Sequence, residues 1–196
     1  NGGIEGSVEW WLTEEERRTL TAAVDRVVPP DDDGAPGAAA GGVVDYVDGL
    51  LGAFLVDPPR IWAGGPFSGR HGGEDGFSSF VPLGRVEELA WRTRIEGSQG
   101  RPEREWNGPV VGLQQRYRDG LASLGEDFAD AGTDEQDARL AADPGFRALL
   151  HTHACEGLYA DPVYGGNRDG VGWRSIGFAG DSQPRGYTPV EVSGRG

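Results

Sequence analysis

Lysine and methionine are absent from the 196 residues, and cysteine occurs once, as Cys155. A single cysteine excludes an internal disulfide and any cysteine-rich metal centre. It is expected as a buried free thiol, the usual fate of such a residue, although in an exported protein it could pair with another chain. Basic charge is also scarce: 18 arginines face 32 acidic residues, for a net charge of −14. An acidic chain of this kind is repelled by nucleic acid and by anionic lipid, so neither is an expected partner. No apolar run approaches the ~18–20 residues that span a bilayer. No basic segment followed by an apolar one opens the chain, and with Asn1 in first place an upstream segment is expected. Strand patterning is missing as well, since no β-branched run alternates with period two for long enough.

Glycine, by contrast, is abundant, with 34 residues beside 13 prolines, and the other apolar residues make up 37% of the chain. Together these give a globular balance with much irregular structure. The length suits one domain. The expected architecture is all-α, with about five to six helices joined by long Gly/Pro-rich loops. It divides into an N-terminal arm over 1–12, a helical domain over 13–180 and a tail over 181–196.

The helix signals are local. Thr13 followed by Glu16 reads as a capping box, after which Leu20, Val24, Val27 and Val28 share a face until Pro29-Pro30. Val43, Val44, Val47, Leu50, Leu51, Phe54 and Leu55 form the clearest apolar stripe, with Asp45 and Asp48 off it. A short helix is expected near 83–95. Another carries Val110, Leu113, Tyr117, Leu121 and Leu124, with Pro109 in its first turn. Thr133 with Gln136 repeats the capping-box pattern. Asp143-Pro144 opens a last helix whose Phe146, Leu149, Leu150, His153 and Gly157 lie on one side.

Self-sufficient chemistry is hard to assemble from these elements. His151 and His153 are two apart, so on a helix they point to nearly opposite sides and cannot face one ion. His153 is expected as a hydrogen-bonded core residue. Glu156 gives it only a single carboxylate neighbour. Asp31, Asp32 and Asp33 lack the alternating spacing of a calcium loop. There is no nucleophile elbow, and Gly165-Gly166-Asn167-Arg168-Asp169-Gly170 lacks both the spacing and the preceding strand of a dinucleotide fingerprint. Catalytic, cofactor-binding and metal residues are therefore all expected to be none. The competing reading is a stand-alone enzyme using Asp31–Asp33, Glu156 and Asp169, with or without a metal.

Aromatic residues in irregular segments point instead to a partner. Trp10 and Trp11 end the arm, and Trp62, Phe67, Phe77 and Phe80 lie among glycines between 58 and 82, with little local means of burial. The stretch Asp161 to Phe178, DPVYGGNRDGVGWRSIGF, sets Tyr164 and Trp173 among five glycines. It reads as a defined path rather than a helix or strand. Its Asn167, Arg168 and Asp169 either hold the loop or anchor a partner, and Arg168 and Trp173 are the side chains best suited to an interface.

That stretch resembles the C-terminal signature of the gluconate 2-dehydrogenase subunit 3 family, the small subunit of bacterial FAD-dependent sugar dehydrogenase complexes. Ala179-Gly180 stands where the signature usually continues Pro-Gly. LTEEERRTLTAAVDRVVPPDDDG (Leu12 to Gly34) and FRALLHTHACEGLYADPVYGG (Phe146 to Gly166) carry further resemblance, while the middle of the chain is particular to it. The resemblance implies a non-catalytic subunit without a cofactor of its own. Its partner would be a large FAD-bearing flavoprotein of the glucose–methanol–choline type that oxidises a sugar, sugar acid or other alcohol. Electrons would pass on to a cytochrome c subunit or a quinone. It also implies assistance in assembly and twin-arginine export, hence an extracytoplasmic location. Trp10, Trp11, Tyr164, Asn167, Arg168, Asp169 and Trp173 are the expected partner-binding residues. Without its partner the chain is expected to behave poorly.

Overall fold

The computed structural model describes residues 10–31, 34–64 and 81–178. Among them are seven α-helices: α1 (Glu14–Val27), α2 (Val43–Leu51), α3 (Arg85–Glu96), α4 (Leu113–Leu124), α5 (Thr133–Ala142), α6 (Pro144–Tyr159) and α7 (Val171–Ser175). The all-α expectation holds, with one small addition. β1 (Trp62–Gly64) pairs antiparallel with β2 (Val81–Pro82), matching Trp62 to Pro82 and Gly64 to Val81. Strands this short carry no period for a sequence reading to detect.

Two helices organise the rest. α1 begins with the expected capping box: the Glu16 N–H donates to Thr13 Oγ1 at 3.1 Å, and the Thr13 N–H donates to Glu16 Oε2 at 2.8 Å. It buries Leu20, Ala23 and Val24 and stops at Val28, before the proline pair. α6 starts at Pro144, whose missing N–H is of no consequence in a first turn, while Asp143 Oδ1 accepts from the Phe146 N–H at 2.9 Å. It packs against α1, α2, α4 and α5, which makes it the spine of the domain.

The buried side of α6 is the one its spacing predicts: Phe146, Leu149, Leu150, His153, Ala154, Gly157 and Leu158. Two close approaches decide how its neighbours sit. The Phe146 ring lies over Gly120 of α4, and Tyr46 of α2 crosses Gly157, where a Cβ would stand 2.9 Å from its ring. Tyr117 of α4 fills the centre. It meets Phe146 edge-on at 5.7 Å, stacks on His153, and its hydroxyl lies 2.8 Å from His153 Nδ1. A truncation such as Leu150→Ala in this core would cost roughly 2–5 kcal/mol.

Several local expectations are corrected. α2 ends at Leu51, not near Leu55: Gly52 is its cap, packed where a side chain would press on Trp11 at 3.3 Å, and Leu55 is exposed. α4 begins at Leu113 with Gly112 as cap, leaving Pro109 outside. The reason is that Val110 is held extended by Ser98, its N–H donating to Ser98 Oγ and its carbonyl accepting from the Ser98 N–H, both at 3.0 Å. The second capping box does not form. Gly132 caps α5, and Gln136 reaches back to the Phe128 carbonyl at 2.9 Å instead. Finally, 161–178 is not free of helix. It contains two 3-10 turns, Pro162–Tyr164 and Arg168–Gly170, followed by α7.

Candidate functional site

Asp48 is the largest departure from the sequence reading. Expected off the apolar stripe of α2, it is buried, with a side chain 0% exposed. Its Oδ1 accepts from the N–H groups of Trp11 (2.8 Å) and Leu12 (3.0 Å), and its Oδ2 pairs with Arg17 of α1. One turn earlier, Asp45 accepts from Arg17 at 2.6 Å through one oxygen and from Arg168 at 2.8 Å through the other. Two acids three apart on one helix thereby tie together α1, the end of the arm and the 161–178 segment.

This strap fixes the two arm tryptophans. The Arg17 guanidinium lies 4.1 Å above the Trp10 ring, and that of Arg118 lies 4.4 Å above Trp11. Burial lowers the affinity of Arg17 for its proton, but the hydrogen bonds to Asp45 and Asp48 outweigh it and the group is held more firmly charged. Trp10 remains 43% exposed.

The 161–178 segment is fixed from inside. Asp161 accepts from the Val163 N–H at 2.9 Å and opens the first turn. Asn167 is fully buried in a left-handed conformation (φ 45°). Its amide donates to the Ala160 carbonyl at 2.8 Å, and its oxygen accepts from the Gly172 N–H at 2.9 Å. The Arg168 N–H donates to the Gly41 carbonyl at 3.0 Å. Gly172 lies so close to α6 that a Cβ there would fall onto the Leu158 carbonyl oxygen, and Gly166 stands in the same relation to Gly157. Glycine at both places is therefore a packing requirement. The Trp173 indole N–H donates to the Tyr159 carbonyl at 2.8 Å, and its ring meets Phe178 edge-on at 5.3 Å.

Between the arm, α2, β1, α3 and this segment opens a cleft of about 440 Å³. Trp10, Tyr46, Trp62, Trp91, Val163 and Tyr164 are among the residues that line it, with Asp45 and Arg60 at hand. Tyr46 donates to Glu156 at 3.1 Å; burial and that carboxylate push its phenol well above the ordinary range. Burial and then Asp161 raise Tyr164 likewise. Both phenols thus stay neutral at physiological pH. A neutral, aromatic, partly open cleft with few polar groups is suited to receiving apolar side chains.

Of the expected partner-binding residues, Trp10 and Tyr164 face this cleft together. Trp11 and Trp173 are half-buried and tied to their own chain. Arg168 and Asp169 are exposed beside it, and Asn167 lies inside as the residue that holds the segment. Phe67, Phe77 and Phe80 lie outside the described residues, as do Asp32 and Asp33. Asp31 accepts from the Ala35 N–H at 2.7 Å. His151 and His153 diverge as their spacing requires: His153 enters the core, and His151 stays at the surface, 3.8 Å from the sulfur of Cys155. Cys155 is only partly buried, not the buried thiol expected; burial and Glu156 raise its pKa. Among the described residues no group of three or more His, Cys, Asp or Glu is placed to hold a metal ion.

One exposed aromatic escaped the sequence reading. Trp106, in the turn before Pro109, is 92% exposed. Its neighbours Glu105 and Asn107-Gly108-Pro109 are turn formers, and a tryptophan in such company was the available signal.

The family model described as Gluconate 2-dehydrogenase subunit 3 matches residues 14–180, which span α1 through the segment that lines the aromatic cleft. Comparison with curated proteins and with solved structures finds no match. With that model covering all seven described α-helices and more than half of the chain, the chain belongs to the gluconate 2-dehydrogenase subunit 3 family.

Proposed function

We propose that this chain is a non-catalytic small subunit that binds and stabilises a large FAD-dependent dehydrogenase of the glucose–methanol–choline type and assists its assembly and export. The large subunit would carry the flavin and oxidise a sugar, sugar acid or other alcohol, with a cytochrome c subunit as a further member of the complex. This chain would hold no cofactor. Its working place would be extracytoplasmic. No helix among the described residues is long and apolar enough to cross a membrane.

The observation that carries the reading is the aromatic cleft. Its backbone is fixed by buried Asp48 and Asn167, while Trp10 and Tyr164 remain accessible. Rigid aromatic anchors on an ordered frame lose little conformational entropy on binding and favour association over catalysis. In this reading Trp10, Trp11, Tyr164, Arg168, Asp169 and Trp173 meet the large subunit, and Asn167 shapes the surface they share.

Co-expression with the large subunit, followed by size exclusion with detection at flavin wavelengths, tests the proposal. The expected result is one complex in which flavin follows the large subunit, while the isolated chain is colourless and has no dehydrogenase turnover. Stoichiometric flavin on the isolated chain, or no association, would overturn it.

A further inference from the structure

A second cleft, of about 610 Å³, lies on the face formed by α3, α4 and α6, and the aromatic cleft has no part in it. Arg94 of α3 and Arg116 of α4 line it, with Val110 and Val111 on one lip and Thr152 and His153 on the α6 side. No acidic side chain lines it, in a chain where acids outnumber arginines 32 to 18. Elsewhere Arg17, Arg18, Arg26, Arg92, Arg104, Arg139 and Arg168 end on carboxylates, while Arg85, Arg101, Arg118 and Arg147 form no ion pair among the described residues but do not line this cleft. The Arg94 and Arg116 side chains form no ion pair or hydrogen bond among the described residues. Arg94 is instead braced on the Trp91 ring at 5.1 Å.

Both cations act on the same spot. Burial is the main reason His153 is held below the ordinary imidazole range, and Arg94 and Arg116 each push it further the same way, against Glu156. The threonine hydroxyls offer no competing donors: Thr93 donates to the Leu89 carbonyl at 2.7 Å and Thr152 to that of Ala148 at 3.0 Å. The charged donors left over are the two guanidiniums, whose planar forks match a carboxylate. Val110 and Val111 are 41% and 65% exposed, and a small free anion would leave them so.

We infer that the α3–α4–α6 cleft is a docking site for an acidic polypeptide segment of a partner chain, whose carboxylate pairs with Arg94 and Arg116 while an adjacent apolar side chain covers Val110 and Val111. Charge complementarity selects the segment, and the valines distinguish it from a free anion. The site would act as a second point of attachment, separate from the aromatic cleft.

The full chain and two probes suffice for the test. Acetyl-Leu-Glu-Val-Glu-Leu-amide and its glutamine counterpart, acetyl-Leu-Gln-Val-Gln-Leu-amide, are titrated while the NMR signals of the Arg94 and Arg116 side chains are followed. The acidic peptide should bind saturably and about tenfold more tightly than the amide version, with affinity falling as salt rises. In Arg94→Gln/Arg116→Gln that preference should vanish. Equal binding of the two peptides by the wild-type chain, or no binding of either, overturns the inference whether or not the variant folds. Acetate shifting the same signals at the same concentration as the acidic peptide also overturns it, by making the cleft a free-anion site. The readout needs no large subunit, so its failure is distinct from failure of the accessory-subunit reading.

Discussion

The flank formed by α1 and α5 and the face built on 161–178 treat water in opposite ways. On the flank, Arg26 grips Asp137 with two bonds of 2.8 and 2.6 Å, Arg18 pairs with Asp130, and Arg139 holds Asp127 and Glu135 while donating to the Leu124 carbonyl. These hydrogen bonds keep the Asp127 and Asp137 carboxyls below their usual range. None of the exposed large hydrophobics lies on α1 or α5. On the other face Trp10, Tyr159, Tyr164, Ile176 and Phe178 are all exposed, yet the backbone beneath them is fixed by buried polar groups. Charge finishes the surface that meets water. On the proposed reading, aromatic area held from inside marks the surface for a partner.

The comparison can be broken first at its staple. Asp48→Ala leaves two N–H groups without their acceptor and Arg17 with Asp45 alone. It should cost about 3 kcal/mol in chemical denaturation, the low end for a broken buried pair because Arg17 is partly exposed. Asp137→Ala on the flank should leave the denaturation midpoint almost unmoved, since an exposed ion pair contributes little. Equal losses in the two variants would erase the distinction between the faces.

Next in size is Gly172→Ala. The added methyl meets a backbone carbonyl of α6, which cannot rotate away, so about 2–3 kcal/mol should be lost. Gly64→Ala at an exposed position of β1, where nothing lies within contact distance, serves as the control. A silent Gly172→Ala would mean that 161–178 is not anchored to α6 as described.

The smallest effect is a pH dependence. His153 is held below its ordinary value by burial, with Arg94 and Arg116 adding to it and Glu156 opposing. The unfolded chain then takes up a proton that the folded chain resists, so this contribution is intact above about pH 6.5 and is lost as pH falls below it. Melting of the wild-type chain should drop more between pH 7 and 5.5 than that of His153→Gln. Parallel profiles would remove His153 as the cause.

How much of this was legible in the sequence depended on how local the physics was. The Thr13–Glu16 box, the Asp143-Pro144 start of α6 and the divergence of His151 from His153 follow from spacing within one turn, and all appear. Asp48 gave no such signal, because its burial is caused by backbone donors of Trp11 and Leu12 that lie 37 and 36 positions away. Gln136 failed as a capping residue because Gly132, not Thr133, takes the N-cap position, and its amide turns back to the Phe128 carbonyl in the preceding turn. The aromatic cleft was half legible. Trp10 and Tyr164 could be named, but their meeting with Tyr46 and Trp91 required the tertiary fold.

The central claim is that the aromatic face serves a partner rather than the chain's own stability, and Trp10→Ala/Tyr164→Ala tests it most directly. Affinity for the large subunit and thermal melting of the isolated chain are measured on the same preparations. The account predicts a loss of roughly 2 kcal/mol in binding with melting nearly unchanged, since both rings are already partly in water. Unchanged affinity beside a clear fall in melting temperature would contradict it and return both aromatics to the fold.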